Sequence, residues 1–164
     1  MRLLLLILPF LLGCDSVEDI TYKGYNGLCS RQPDSMSCIK HNSGGVSPDI
    51  HTVLSVNYEM LNNFTYITDR EKYNVDDYWF DNVTTSIPLS GDCDDVALTF
   101  ISQLIIDGVN PANIRYVVSG ENGEIKHNYA QVKIDSGYIF NFNKIDEYED
   151  MLYMQYDNIG VFVK

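Results

Sequence analysis

Positive charge is scarce in this 164-residue chain: 11 Lys and Arg stand against 23 Asp and Glu, for a net charge of -12. That balance argues against nucleic acid or an anionic membrane surface as a partner. It suits cationic peptides or divalent cations, although an acidic surface also serves solubility alone. The chain has no internal repeat and no second apolar run after the first dozen residues, which excludes solenoid and multi-span architectures. Cysteines are few, at four, and no second pair completes a zinc set beside Cys29 and Cys38. Only one histidine, His127, lies downstream of Cys93. A length of 164 residues allows one domain with a real core.

The first residues carry an export signal. Met1-Arg2 is a short basic start, and Leu3 to Leu12 is an apolar run too short to span a bilayer as a helix. Leu11-Leu12-Gly13-Cys14 resembles a lipobox. That resemblance implies cleavage before Cys14, diacylation of its thiol, and a protein held to a cell membrane facing the periplasm or the exterior. Residues 1–14 are then a lipoprotein signal peptide. Residues 15–47, with Gly24, Gly27, Pro33, Gly44 and Gly45 and little periodicity, read as a tether and irregular lead-in. Within it, Cys29 and Cys38 can close a short disulfide loop in an oxidising compartment. Cys93 is left over and asks for a reason.

The domain proper is expected at 48–164. Ser47 can cap a helix with Pro48 in its first turn, and Ile50, Val53, Leu54, Tyr58 and Leu61 recur at helical spacing. A second helix is predicted from about Asp92 to Asp107, with Val96, Ala97, Phe100, Ile101, Leu104 and Ile105 on its buried face and Gly108 after its end. Strands follow at Ile114–Val118, His127–Ile134, Tyr138–Asn143 and Gly160–Val163, with a turn at Asp135-Ser136-Gly137. Helices first and an antiparallel sheet after them make an α+β domain.

Gly91-Asp92-Cys93-Asp94-Asp95 opens the second helix. A thiol there meets free backbone N–H groups and the positive end of the helix dipole, which favour thiolate, the attacking form. His127 can serve as base. Asn141, on the next strand, can orient the imidazole, while a tight turn at 135–137 brings Asn143 nearer. The neighbouring acids oppose thiolate: one carboxylate about 5 Å away costs roughly 3 kcal/mol at an effective dielectric of ~20. The helix dipole returns only about 0.3–2 kcal/mol. Something positive must offset the acids, either imidazolium at His127 or a divalent cation on Asp92 and Asp94, with Asp69, Asp76 and Asp77 as further ligands.

The ordered set Val56-Asn57, Tyr66, Asp69, Asp77-Tyr78-Trp79, Gly91-Asp92-Cys93-Asp94-Asp95, His127 and Phe140-Asn141-Phe142 resembles the bacterial transglutaminase-like cysteine peptidases, over about residues 50–145. The resemblance implies a papain/transglutaminase-like core in which the helix bearing the nucleophile packs on an antiparallel sheet. It implies a triad of Cys93, His127 and Asn141, calcium beside the nucleophile, and a protein or peptide substrate. Two positions depart from the family pattern: Asp94 stands where Glu is usual, and Asn141 where Asp is usual. The same site could instead transfer acyl groups to an amine. A degenerate site would leave a lipid-tethered binding module.

Overall fold

The computed structural model describes residues 17–41, 44–84, 88–122, 124–143, 149–157 and 160–163. The signal segment and Cys14 lie outside the described residues. Among the described residues, no helix is long and apolar enough to cross a membrane.

The stretch read as an irregular lead-in is instead a helix, α1 (Val17–Arg31), folded onto the domain. Two glycines and few aliphatic residues give it little intrinsic helicity, so its stability comes from what it touches. Gly24 lies against the Trp79 indole so closely that a Cβ there would sit 2.4 Å from the ring. Leu28 is fully buried in the core. The Arg31 guanidinium lies 3.9 Å over the Tyr78 ring and donates to the Trp79 carbonyl at 2.8 Å. Cys29 and Cys38 are joined in a disulfide that pins the loop after the helix. From that loop Ser35 donates to Asp81 Oδ2 at 2.6 Å.

Helix α2 (Ile50–Asn63) is capped by Asp49, whose carboxylate accepts from Thr52 N at 2.7 Å, and not by Ser47. It buries Val53, Val56 and Met60. Leu54, Tyr58 and Leu61, expected to mark the apolar side of this helix, face outward, with Tyr58 and Leu61 both 71% exposed. A two-residue strand, β1 (Thr65–Tyr66), pairs in parallel with β2 (Ser90–Gly91). Between them lies a single helical turn, α3 (Asp69–Lys72), closed by a Thr68–Glu71 capping box.

Helix α4 (Cys93–Ile106) ends at Asp107, and Gly108 follows with φ +86°, a value that favours glycine. Five more strands form one antiparallel sheet: β3 (Ile114–Glu121), β4 (Glu124–Lys133), β5 (Ile139–Phe142), β6 (Glu149–Asp157) and β7 (Gly160–Val163), in the order β5-β4-β3-β6-β7. Val96, Ala97, Phe100, Ile101 and Leu104 of α4 join Ala130, Val132 and Phe142 in the core. Phe100 stacks on Phe142 with ring centroids 4.0 Å apart. Each such fully buried side chain contributes roughly 1.5–3 kcal/mol. The result is the expected α+β arrangement, with the Cys93 helix laid on the sheet. Strand β6 was not anticipated; it lies beside β3, at Arg115↔Gln155 to Gly120↔Glu149.

Candidate active site

Three short connections converge on the tip of α4. The β1–β2 pairing sets Tyr66 opposite Gly91 and carries the chain directly into Asp69, beside Asp92. Asp69 N donates to Asp92 Oδ2 at 3.4 Å, so Asp92 is engaged there and makes no side-chain cap of its own helix. Asp69 in turn accepts the backbone N–H of Tyr78, and Asp95 Oδ1 accepts that of Phe80 at 2.6 Å. The segment through Trp79 is thus strapped to the helix by carboxylates. Gly91 is required at its place: its φ is +153°, and an added Cβ would lie 1.9 Å from Asp95 Oδ2.

Cys93 is half-buried and is the free cysteine among the described residues. Its thiol is within hydrogen-bonding reach of the backbone N–H groups of Asn128, Asp94 and Cys93 itself. Those groups favour thiolate, but burial first and the Asp92 charge after it push the thiol up to about 11. The opposition expected of the neighbouring acids is present, and desolvation, which the sequence does not show, is the larger cause. Desolvation and the acids outweigh the dipole.

His127 stands on β4 opposite Ser119, where the ladder with β3 shifts register between Ser119 and Gly120. Such a bulge re-aims a side chain at a strand end. The half-buried imidazole points its Nε2 at the Asn143 carbonyl oxygen. Among the described residues, the thiol and the imidazole share no hydrogen bond. They are linked through Asn143 and Asn128. Asn143 has φ 63° and ends β5 by turning out of the ladder. Its side-chain amide donates to the Cys93 carbonyl at 3.2 Å and to the Asn128 carbonyl at 3.4 Å. One residue therefore touches the nucleophile's backbone, the base's ring and the strand that carries the base.

Asn141 is not brought to His127. It pairs with Gln131, and its Oδ1 accepts from Gln131 Nε2 at 2.9 Å. The cause is register. The turn closes between Ile134 and Tyr138, so Lys133 faces Ile139 and Ala130 faces Phe142. Each step toward His127 is matched by a step away from Asn141. The Trp79 indole is buried, and its N–H donates to Asp77 Oδ1 at 3.0 Å.

The acids form a tighter set than the sequence implied. Ligand-capable atoms of Asp92, Cys93 and Asp94, of Asp69, Asp92 and Asp95, and of Asp69, Asp77 and Asp94 lie within 4.8 Å of one another in each trio. Asp95 had not been counted among them. Asp76 is elsewhere, paired with Arg70 at 3.3 Å on the surface. Burial, then Asp92 and Asp77, raise Asp69 to about 6. Burial, then Asp69 and Asp92, raise Asp95 to about 8. Asp94, 3% exposed, is raised well above the carboxylate range by burial, Asp92 and Asp95. Asp69 Oδ1, Asp92 Oδ1, Asp94 Oδ2 and Asp95 Oδ2 are buried with no hydrogen-bond partner. Oxygen atoms in that condition hold either protons or a cation. Several hard oxygens converging without partners fit a divalent cation of the calcium type.

A thiol at a helix tip, hydrogen-bonded to the strand residue that follows a histidine, is the frame of a cysteine hydrolase. A family model described as bacterial transglutaminase-like cysteine proteinase matches residues 19–159, and the chain belongs to that family. The match begins inside α1, in keeping with the packing of that helix on Trp79. No curated protein matches the chain in sequence.

Proposed function

We propose that the protein is a membrane-anchored cysteine peptidase in which Cys93 is the nucleophile, His127 the general base and acid, and Asn143 the positioning residue. The observation that carries this reading is the Asn143 junction: its amide on the Cys93 carbonyl and its own carbonyl on the His127 ring. Asn143 takes the place first expected of Asn141.

In this mechanism His127 donates Nε2–H to the Asn143 carbonyl, which leaves Nδ1 unprotonated to take the proton of the thiol. Such contacts commonly tighten only when substrate is bound. The thiolate sulfur adds to the amide carbonyl. The backbone N–H groups at the α4 tip, those of Cys93 and Asp94, face the developing oxyanion. The C–N bond breaks as imidazolium gives its proton to the leaving amine, and water then hydrolyses the thioester by the same base.

Asp92 and Asp94, with Asp69, Asp77 and Asp95, would hold a calcium ion, whose positive charge would offset the acids around the thiol. With it the carboxylates need not hold protons. The anchor is a lipid on Cys14, which the lipobox-like Leu11–Cys14 supports. Replacing Cys14 by Ser is expected to release the protein from the membrane fraction.

The test of the reading is cleavage of denatured envelope protein with calcium present. Cys93→Ala is expected to abolish turnover with unfolding temperature preserved; full activity in that variant overturns the assignment. The raised thiol and the missing thiol–imidazole bond favour a second reading, a binding module on a silent peptidase fold. An electrophilic thiol probe that never labels Cys93, with or without calcium, would establish that alternative.

A further inference from the structure

Beside the nucleophile lies a cleft of about 260 Å³. It falls below the roughly 300–1,000 Å³ of small-molecule sites, so its size suits a side chain rather than a cofactor. Its floor is apolar: Met60, Phe64, Val96, Phe140 and Phe142 line it, with Leu61 at its exposed edge. Among the described residues, no Asp, Glu, Lys, Arg or His lines it. That is notable in a chain of net charge -12. An apolar side chain would find an apolar bed there.

The cleft is continuous with the candidate active site in three ways. Val96 lies three residues, just under one full turn, along α4 from Cys93. Tyr66, in its wall, pairs with Gly91 two residues before the thiol. Asn143, in its opposite wall, is the residue bonded to the Cys93 carbonyl. One helical turn is about 5.4 Å, and an extended peptide advances roughly 3.3–3.6 Å per residue. A substrate residue filling the cleft is therefore one or two positions from the bond attacked by Cys93.

Resting on the peptidase reading above, we propose that this cleft is the specificity subsite, which takes one bulky apolar side chain, Leu, Met or Phe, within two residues of the scissile bond. Burial of such a side chain is expected to raise kcat/KM at least about ten-fold over alanine at the same position. In the walls, Asn141 is held by Gln131 and Asn143 by the Cys93 and Asn128 carbonyls, which leaves side-chain choice to the floor.

The test pairs cleavage with binding. Peptides differing only in Phe, Leu or Ala at each position are digested by the wild-type protein with calcium, and the cut sites are read by mass spectrometry. The same peptides are titrated against Cys93→Ala by fluorescence anisotropy, which needs no turnover. A ten-fold or greater preference for Phe and Leu over Ala near the cut, matched in binding, is the expected result. Leu61→Asp should collapse that ratio, whereas Tyr58→Asp, on the same helix but outside the cleft, should keep it. Cleavage with no such preference, or a ratio indifferent to Leu61→Asp, overturns the subsite and leaves the peptidase standing. Phe-dependent binding without any cleavage overturns the peptidase and keeps the cleft. Neither binding nor cleavage overturns both.

Discussion

Raising the pH of the protein in chelator should destabilise it, and the size of the effect follows from the acids at the α4 tip. Asp95 is fully buried and ionises only at about 8, against the usual value near 4 in an unfolded chain. Below about pH 4 both states hold the proton, and the group contributes nothing. Between about 4 and 8 the unfolded chain has released it and the folded one has not, so folding takes up a proton and stability falls as pH rises. Each pH unit in that window removes about 1.4 kcal/mol for such a group. From pH 5 to 7.5 the loss is therefore roughly 3 kcal/mol. Asp69, raised to about 6, adds to the lower part of the window, and the set titrates together rather than as separate residues. In a domain of this size about 3 kcal/mol corresponds to a fall in Tm of roughly 6–12 °C. Calcium at about 100 times its Kd returns about 2.7 kcal/mol, most of it at the alkaline end, where the carboxylates are free to bind it. Thermal unfolding in EDTA and in calcium at both pH values measures all four quantities. A Tm in EDTA that is flat or rises with pH, or one at pH 7.5 that ignores calcium, refutes the reasoning.

The two asparagines of the β5 hairpin should behave oppositely. Asn143→Ala removes hydrogen bonds to the Cys93 and Asn128 carbonyls, for an expected loss of about 1–2 kcal/mol in stability and at least ten-fold in kcat/KM, whereas Asn141→Ala stays within about 0.5 kcal/mol and two-fold of wild type. Gly91→Ala drives a methyl into the Asp95 carboxylate at a φ that side chains avoid. It should lower stability by roughly 3 kcal/mol or more and weaken any calcium-dependent rise in Tm, as thermal unfolding with and without calcium will report.

Legibility in the sequence followed how local the cause was. Helix α4 was readable because its apolar residues repeat at 3.6 and its acids and glycine mark the ends, and the Cys93 block came with it. The strands of His127 and Asn141 were readable from alternation and from the Asp135-Ser136-Gly137 turn. Helix α1 was not, because its helicity is imposed by partners distant in sequence: Trp79 on Gly24, and the Tyr78 ring and Trp79 carbonyl on Arg31. The apolar side of α2 was misread because Val53, Val56 and Met60 form a second stripe that the core uses, while Leu54, Tyr58 and Leu61 form the outer one. The tight turn at 135–137 already pointed to Asn143, and Asn141 was preferred only because its spacing matches the family pattern. Asp95 joins the acid cluster only because Asp69 is carried to it by the β1–β2 pairing, which no local pattern announces.

The central claim is that His127 activates Cys93 once the acids are offset. The rate of Cys93 alkylation by iodoacetamide, followed against pH by mass spectrometry in wild type and His127→Ala with calcium and with EDTA, tests it directly. Wild type with calcium is predicted to react at pH 7 at least ten-fold faster than His127→Ala, with EDTA moving its midpoint toward the thiol's value of about 11. Equal rates in the two proteins, with the midpoint near 11 whether or not calcium is present, would contradict it.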